Sequence, residues 1–282
     1  MKALFAFFII IVVVIAAWFF MSSKLPDADF VIVSGAEVDT LDPQQASWLT
    51  DFRVIECMFE PLLTVSTTTM AIEPATAEKW EISDDKRTYT FHIRPSAKWS
   101  NGDPVTAQDY IYGWQRCGTP DYRADYFALI HYIKGAKAFY EARNADLAAY
   151  TKLGDAQRTD AAARALWKKS QDLWDSTVGL KATDDKTLVV TLEKPVTYFL
   201  EIVAFPSYCP VHKKSVETTV DFEAATGQLV GRAGYFSNPE SVICNGAYTL
   251  SQRRDKQYTY LAANPNYWDR ANMGNSSILI RV

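Results

Sequence analysis

The segment from Pro74 to Arg116, PATAEKWEISDDKRTYTFHIRPSAKWSNGDPVTAQDYIYGWQR, leaves the chain few ways to fold. Tyr89, Phe91 and Ile93 alternate with Thr88, Thr90, His92 and Arg94, the period of a half-buried strand. Asp84-Asp85-Lys86 supplies the turn before that strand, and Asn101-Gly102 a second turn where glycine takes backbone angles that other residues resist. Thr106 stands three residues before Asp109, a capping box with Asp in place of Glu. Behind it Ala107, Tyr110, Ile111 and Trp114 share one helical face. Strand, turn, extended segment, turn and capped helix follow one another along this stretch.

The remainder is ordinary globular sequence: 282 residues, 48% hydrophobic and 22% charged, enough for one or two domains. A net charge of −4 lacks the basic excess of nucleic-acid binders, so no nucleic-acid partner is expected. His92, His131 and His212 show no metal-ligand spacing, and no nucleophile elbow, P-loop or dinucleotide fingerprint occurs. The residues make no case for an enzyme, a metal or a cofactor. Cys57, Cys117, Cys209 and Cys244 allow three pairings; Cys209 with Cys244 is the first candidate, and burial as small hydrophobes is the alternative.

Ala3 to Met21 is an unbroken apolar run. As a helix it would span roughly 28 Å, close to a bilayer's hydrocarbon thickness. It is longer than a secretory core of about 7–15 residues. No clear cleavage site follows it, and Lys2 precedes it. Residues 1–24 are therefore expected to form an uncleaved signal anchor, with a cleaved signal peptide as the alternative; either way the rest of the chain is expected outside the cytoplasm.

The Pro74–Arg116 segment also resembles the family 5 extracytoplasmic solute-binding proteins of ABC importers. Their pattern there is A-E-x-W, a Y-T-F-x-(L/I)-R strand, K-W-S-(D/N)-G and V-T-A-x-D. Further matches are Gly35 to Pro43 (GAEVDTLDP), Glu60-Pro61-Leu62-Leu63, Ile133-Lys134-Gly135-Ala136, the run from Gly179 to Pro195, Asn245-Gly246-Ala247-Tyr248 and Asn264-Pro265-Asn266-Tyr267-Trp268. Leu147 to Ser176 departs from the family pattern; Thr159 is expected to cap a helix there, with Leu166, Trp167, Leu173 and Trp174 facing the core.

The resemblance implies an α/β fold, a mixed sheet with helices: the first lobe of a type II periplasmic binding protein plus an inserted subdomain, with the second lobe absent. Residues 30–60 and 212–282 would form that lobe around an inserted subdomain, 61–211. It implies a protein that binds a peptide or similar solute and hands it to an ABC permease; with the Ala3–Met21 run as anchor, the protein would sit in the cytoplasmic membrane with its globular part on the periplasmic side. Position by position, it puts ligand contacts at Ser47, Trp48, Leu49, Tyr126 and Asn245. The rival reading is an anchored interaction module, or a truncated remnant, that no longer binds solute. A lobe acting alone would bury only one side of a ligand and bind weakly.

Further expectations concern single elements. Phe30 to Val33 reads as a buried strand, Asp51 to Phe59 and Tyr126 to Tyr140 as helices, and Pro195 as the start of an aromatic helix. Ile278 to Val282 reads as a strand on an open sheet edge.

Overall fold

A computed structural model of the chain describes residues 11, 25–231 and 234–282. The Pro74–Arg116 segment folds as its pattern dictates. Strand β5 (Thr88–Ile93) alternates buried Tyr89, Phe91 and Ile93 with half-buried Thr88, Thr90 and His92. It lies in an antiparallel sheet ordered β4-β5-β7-β6, with β4 Ala77–Ile82, β6 Leu180–Asp184 and β7 Thr187–Thr191. The Asp109 carboxylate accepts from the Thr106 amide at 2.9 Å and the Thr106 hydroxyl at 2.8 Å, fixing the start of helix α2 (Ala107–Cys117). It also accepts from the Trp99 indole at 3.2 Å and the Lys213 amide at 3.1 Å, joining the K-W-S turn to the returning chain.

The second sheet has the order β1-β12-β11-β10, from Phe30–Val33, Ser277–Arg281, Tyr258–Ala263 and Tyr248–Arg254. Only β1 and β12 run parallel. Two expectations are corrected here. The strand at Ile278 is interior, flanked by β1 and β11, and Ser277 to Ile280 are buried. The edges are β1 and β10, and among the described residues β1 is the one that exposes large apolar side chains: Phe30 and Val31 are each 50% exposed and Val33 71%. Among its four apolar residues only Ile32 is half-buried against the core, because an edge strand is paired on one side only, so the apolar run alone did not reveal its exposure.

Helix α1 (Leu49–Met58) buries Phe52, Val54, Ile55 and Met58 and stops before Pro61, which cannot continue a helix. The expected helix from Tyr126 to Tyr140 is two: α3 (Phe127–Ile130) and α4 (Ala136–Tyr150). Gly135 separates them at φ +75°, and a Cβ there would stand 2.3 Å from the Thr177 carbonyl oxygen. Helix α5 (Asp160–Thr177) begins where Thr159 accepts from the Ala162 amide, and its Trp174 is buried edge-on against Phe139 of α4. The aromatic helix α6 (Phe199–Val203) starts after Tyr198 rather than at Pro195. A short α7 (Lys213–Val216) follows.

Two ribbons complete the chain: β2 (Leu63–Val65) with β3 (Ile72–Pro74), and β8 (Val220–Glu223) with β9 (Gln228–Gly231). One continuous hydrophobic core draws residues from 30–60, 61–211 and 212–282 alike, including Ile55, Phe91, Trp114, Leu250 and Ile280. All four cysteines are free, and Cys117, Cys209 and Cys244 are buried, so the Cys209–Cys244 pairing does not form. Among the described residues no helix is long and apolar enough to cross a membrane. The Ala3–Met21 run, apart from Ile11, lies outside the described residues.

Candidate functional site

The site begins with a buried ion pair. Arg116 donates through Nη1 and Nη2 to the two carboxylate oxygens of Asp42, at 3.1 and 2.5 Å, with both side chains almost fully buried. Burial alone would lower the guanidinium's pKa, but the Asp42 charge and hydrogen bonds outweigh it and hold Arg116 above its ordinary value. Arg116 also donates to Gln44, whose amide donates to the Cys209 carbonyl at 2.9 Å. A bidentate pair fixes geometry as well as charge. The W-Q-R and L-D-P motifs thereby set where the next residues, Gln45 to Leu49, leave the core.

Those residues surface at the start of α1. Trp48 is its N-cap, accepting from the Asp51 amide at 3.0 Å and the Phe52 amide at 3.1 Å. Trp48 and Leu49 are each 66% exposed, and Ser47 is half-buried. Beneath them Asp51 is buried and accepts from the Asp39 amide at 2.8 Å. Desolvation raises its pKa. Phe52, one turn into the helix, stands 5.8 Å from the Tyr126 ring and 5.3 Å from Phe205, and the Tyr126 and Phe205 rings are 4.7 Å apart. Through Phe52 the fold brings Tyr126 to the first turn of α1, giving an aromatic platform about one turn along the helix from the exposed Trp48.

Asn245 is placed differently. It is only 2% exposed; its Oδ1 accepts from the Glu60 amide at 3.0 Å and its Nδ2 donates to the Glu60 carbonyl at 2.8 Å. The adjoining Gly246 amide donates to the Met58 carbonyl at 2.8 Å, and a Cβ on Gly246 would lie 2.6 Å from the Met58 carbonyl carbon. Asn245 therefore holds the C-terminal end of α1, about 15 Å along the helix from Trp48 at 1.5 Å per residue. It positions the helix that carries the exposed segment, rather than facing an open cleft.

Sequence reasoning missed Glu60. Its carboxylate accepts from the Thr76 hydroxyl at 2.6 Å, the Tyr267 hydroxyl at 2.5 Å and the Trp268 indole at 2.7 Å. Burial raises its pKa, against the lowering effect of these three donors and the Arg94 charge. Arg94 stacks over the Trp268 ring at 3.9 Å. The E-P-L-L, P-A-T, N-G-A-Y and N-P-N-Y-W motifs all meet at this one residue. The available signal was the presence of several separate motifs with no chemistry of their own.

A second polar chain lies apart from the platform. His212, edge-on to Trp99, bonds Asp103 through Nε2 at 3.0 Å and Ser215 through Nδ1 at 2.5 Å, and Ser215 meets the Tyr235 hydroxyl at 3.0 Å. Among the described residues no group of three His, Cys, Asp or Glu side chains could hold a metal ion.

Comparison with known proteins matches this arrangement of motifs. The family model described as "Bacterial extracellular solute-binding proteins, family 5 Middle" matches residues 71–282. The periplasmic oligopeptide-binding protein OppA of Salmonella typhimurium is 34% identical over 238 residues, 84% of this chain and 36% of that protein. The substrate-binding domain of an oligopeptide ABC transporter from Bacillus anthracis superposes with a TM-score of 0.71 at 29% identity, covering 90% of this chain and 41% of that one. Haemophilus influenzae OppA in complex with the peptide RPPGFSPFR gives 0.69 at 26% identity, covering 91% and 42%. The chain thus spans about two fifths, or less, of the length of these relatives. On the family model, the shared fold and the convergence of its motifs, the chain belongs to the bacterial extracellular solute-binding proteins of family 5.

Proposed function

We propose that Ser47, Trp48, Leu49 and Tyr126 form one wall of a solute-binding site, and that the solute is a peptide. The observation that carries this reading is the pair Trp48 and Leu49, each 66% exposed at the N-terminal end of a helix whose other end is locked by Asn245 and Gly246. An exposed tryptophan beside an exposed leucine costs hydration unless something covers it, and a peptide side chain is a suitable cover. Relatives named for oligopeptide binding, one of them holding a nine-residue peptide, support the choice of solute. In this reading the chain is the solute-binding component of an ABC importer and passes its ligand to a membrane permease. The Ala3–Met21 run anchors it in the cytoplasmic membrane with its globular part on the periplasmic side. Asn245 contributes by holding α1 in place.

A single wall leaves much of a ligand in water, so affinity for the chain alone is expected to be weaker than micromolar. Titration of the full chain in mild detergent with short peptides, followed by NMR, tests the proposal. Saturable shifts that Trp48→Ala or Tyr126→Ala weakens support it; shifts indifferent to both variants refute the placement. The exposed β1 edge favours the second reading, an anchored module that holds a partner instead of a solute. Absence of any peptide-dependent shift would turn the account toward it.

A further inference from the structure

The chain holds two Asn-Gly pairs, Asn101-Gly102 and Asn245-Gly246. Such a pair is chemically labile, because glycine puts no side chain between its backbone nitrogen and the preceding carboxamide. The fold treats the two pairs in opposite ways. Asn245 is 2% exposed, both ends of its carboxamide are held by Glu60, and Gly246 is pressed against the Met58 backbone. Asn101 and Gly102 are both exposed, in the turn between Trp99 and Asp103, and no atom lies within 4 Å of the place a Cβ on Gly102 would take.

The exposed pair has reacting groups around it. The Asp103 amide donates to Asn101 Oδ1 at 3.0 Å, so it polarises the carboxamide carbon and can hold an oxyanion formed there. Asn101 Nδ2 donates to Asp103 Oδ2 at 2.8 Å, and His212 Nε2 bonds the same oxygen at 3.0 Å. A leaving amine at Asn101 thus stands one carboxylate away from an imidazole, the side chain best suited to supply a proton near neutral pH. The Asp103 side chain is 43% exposed, which leaves water within reach. One bond opposes reaction: the Gly102 amide donates to the Trp99 carbonyl at 2.8 Å. It closes an exposed turn, and local opening of such a turn costs less than the wider unfolding needed to free Gly246.

We infer that Asn101-Gly102 is a self-modification site, converting to an aspartyl or isoaspartyl linkage while Asn245-Gly246 stays intact in the folded protein. In the first step the Gly102 nitrogen bonds to Asn101 Cγ and gives its proton to water. The Cγ–Nδ2 bond breaks, and the amine leaves as ammonia with a proton that His212 relays through Asp103 and regains from solvent. The product is a cyclic succinimide. In the second step water adds to either ring carbonyl and reopens the ring as aspartate or isoaspartate. The net change consumes water and releases ammonia. A hydrogen-bond donor facing Asp103 becomes a negative charge, so the change acts on the polar chain that runs through His212 and Ser215 to Tyr235.

The test incubates the full chain in mild detergent at neutral pH, follows both sites by peptide mass mapping, and labels isoaspartate with an isoaspartyl methyltransferase. The expected result is conversion at Asn101 at least about tenfold faster than at Asn245, the ratio set by an opening that costs the buried pair about 1.4 kcal/mol more. Asp103→Asn keeps the backbone amide that polarises Asn101 but loses the proton relay, so it should slow conversion several-fold, whereas mere loosening of the turn would speed it. His212→Gln is the second variant should Asp103→Asn fail to fold, with the same expectation. Comparable rates at the two pairs in the folded chain, absence of isoaspartate at position 101, or an unchanged or faster rate in the folded relay variant would overturn the inference.

Discussion

The Asn245 side chain holds both backbone groups of Glu60, accepting from its amide at 3.0 Å and donating to its carbonyl at 2.8 Å across 185 residues of sequence. Asn245→Ala leaves the part-buried Glu60 amide without this partner, while the Glu60 carbonyl keeps the Tyr110 hydroxyl at 3.2 Å. One such loss costs about 1–3 kcal/mol. Thermal unfolding should show a stability loss in that range or above, and a wild-type midpoint would contradict the positioning role given to Asn245.

Glu60 should make stability depend on pH. Its folded pKa stands above its ordinary value of 4.5 because burial disfavours the charge. A group that holds its proton more tightly when folded stabilises the fold most at acid pH. That contribution falls as pH rises from about 4.5 through the raised folded value. Glu60→Gln lacks this titration. Denaturant unfolding from pH 4 to 8 should therefore show the wild type losing stability relative to Glu60→Gln as pH rises; parallel curves would count against it.

The Asp42–Arg116 pair should tolerate no single replacement. Arg116→Met leaves the Asp42 carboxylate buried without its partner, and breaking a buried pair from one side costs about 3–5 kcal/mol. Arg116→Lys keeps the charge but loses the bidentate fork, so it should rescue only part of the loss. Chemical denaturation of the three proteins checks the order.

These residues also mark what could be read from the sequence. The β5 alternation and the Thr106–Asp109 cap are local, governed by side-chain period and a three-residue spacing, and both stand in the fold. The interior position of β12 is not local: its neighbour β1 lies 248 residues earlier, so nothing near Ile278 records it. The exposure of Phe30 and Val33 depends on what covers a sheet edge, which hydropathy does not encode. The break at Gly135 is imposed by the Thr177 carbonyl, an approach from another helix. Family pattern located Trp48 and Tyr126, but their junction through Phe52 and the burial of Asn245 emerged only when distant segments were brought together.

Gly246 offers a steric check on the same clasp. A Cβ would lie 2.6 Å from the Met58 carbonyl carbon and 2.8 Å from the Phe59 amide nitrogen, both backbone atoms with little freedom to yield. Gly246→Ala should lower stability by about 1–3 kcal/mol, the usual cost of overpacking a tight site. Thermal melts showing no change would mean that the end of α1 is looser than described.

The most direct test of the central claim is the NMR titration of the full chain and its Trp48→Ala variant with one short peptide. Trp48 is largely in solvent, so its removal should change stability by no more than about 0.5 kcal/mol. Loss of an indole contact worth about 1.4 kcal/mol would weaken the peptide roughly tenfold. A wild-type melting point with weaker peptide binding is the predicted result. Identical affinity in the two proteins would contradict the assignment of this surface as the ligand-facing wall.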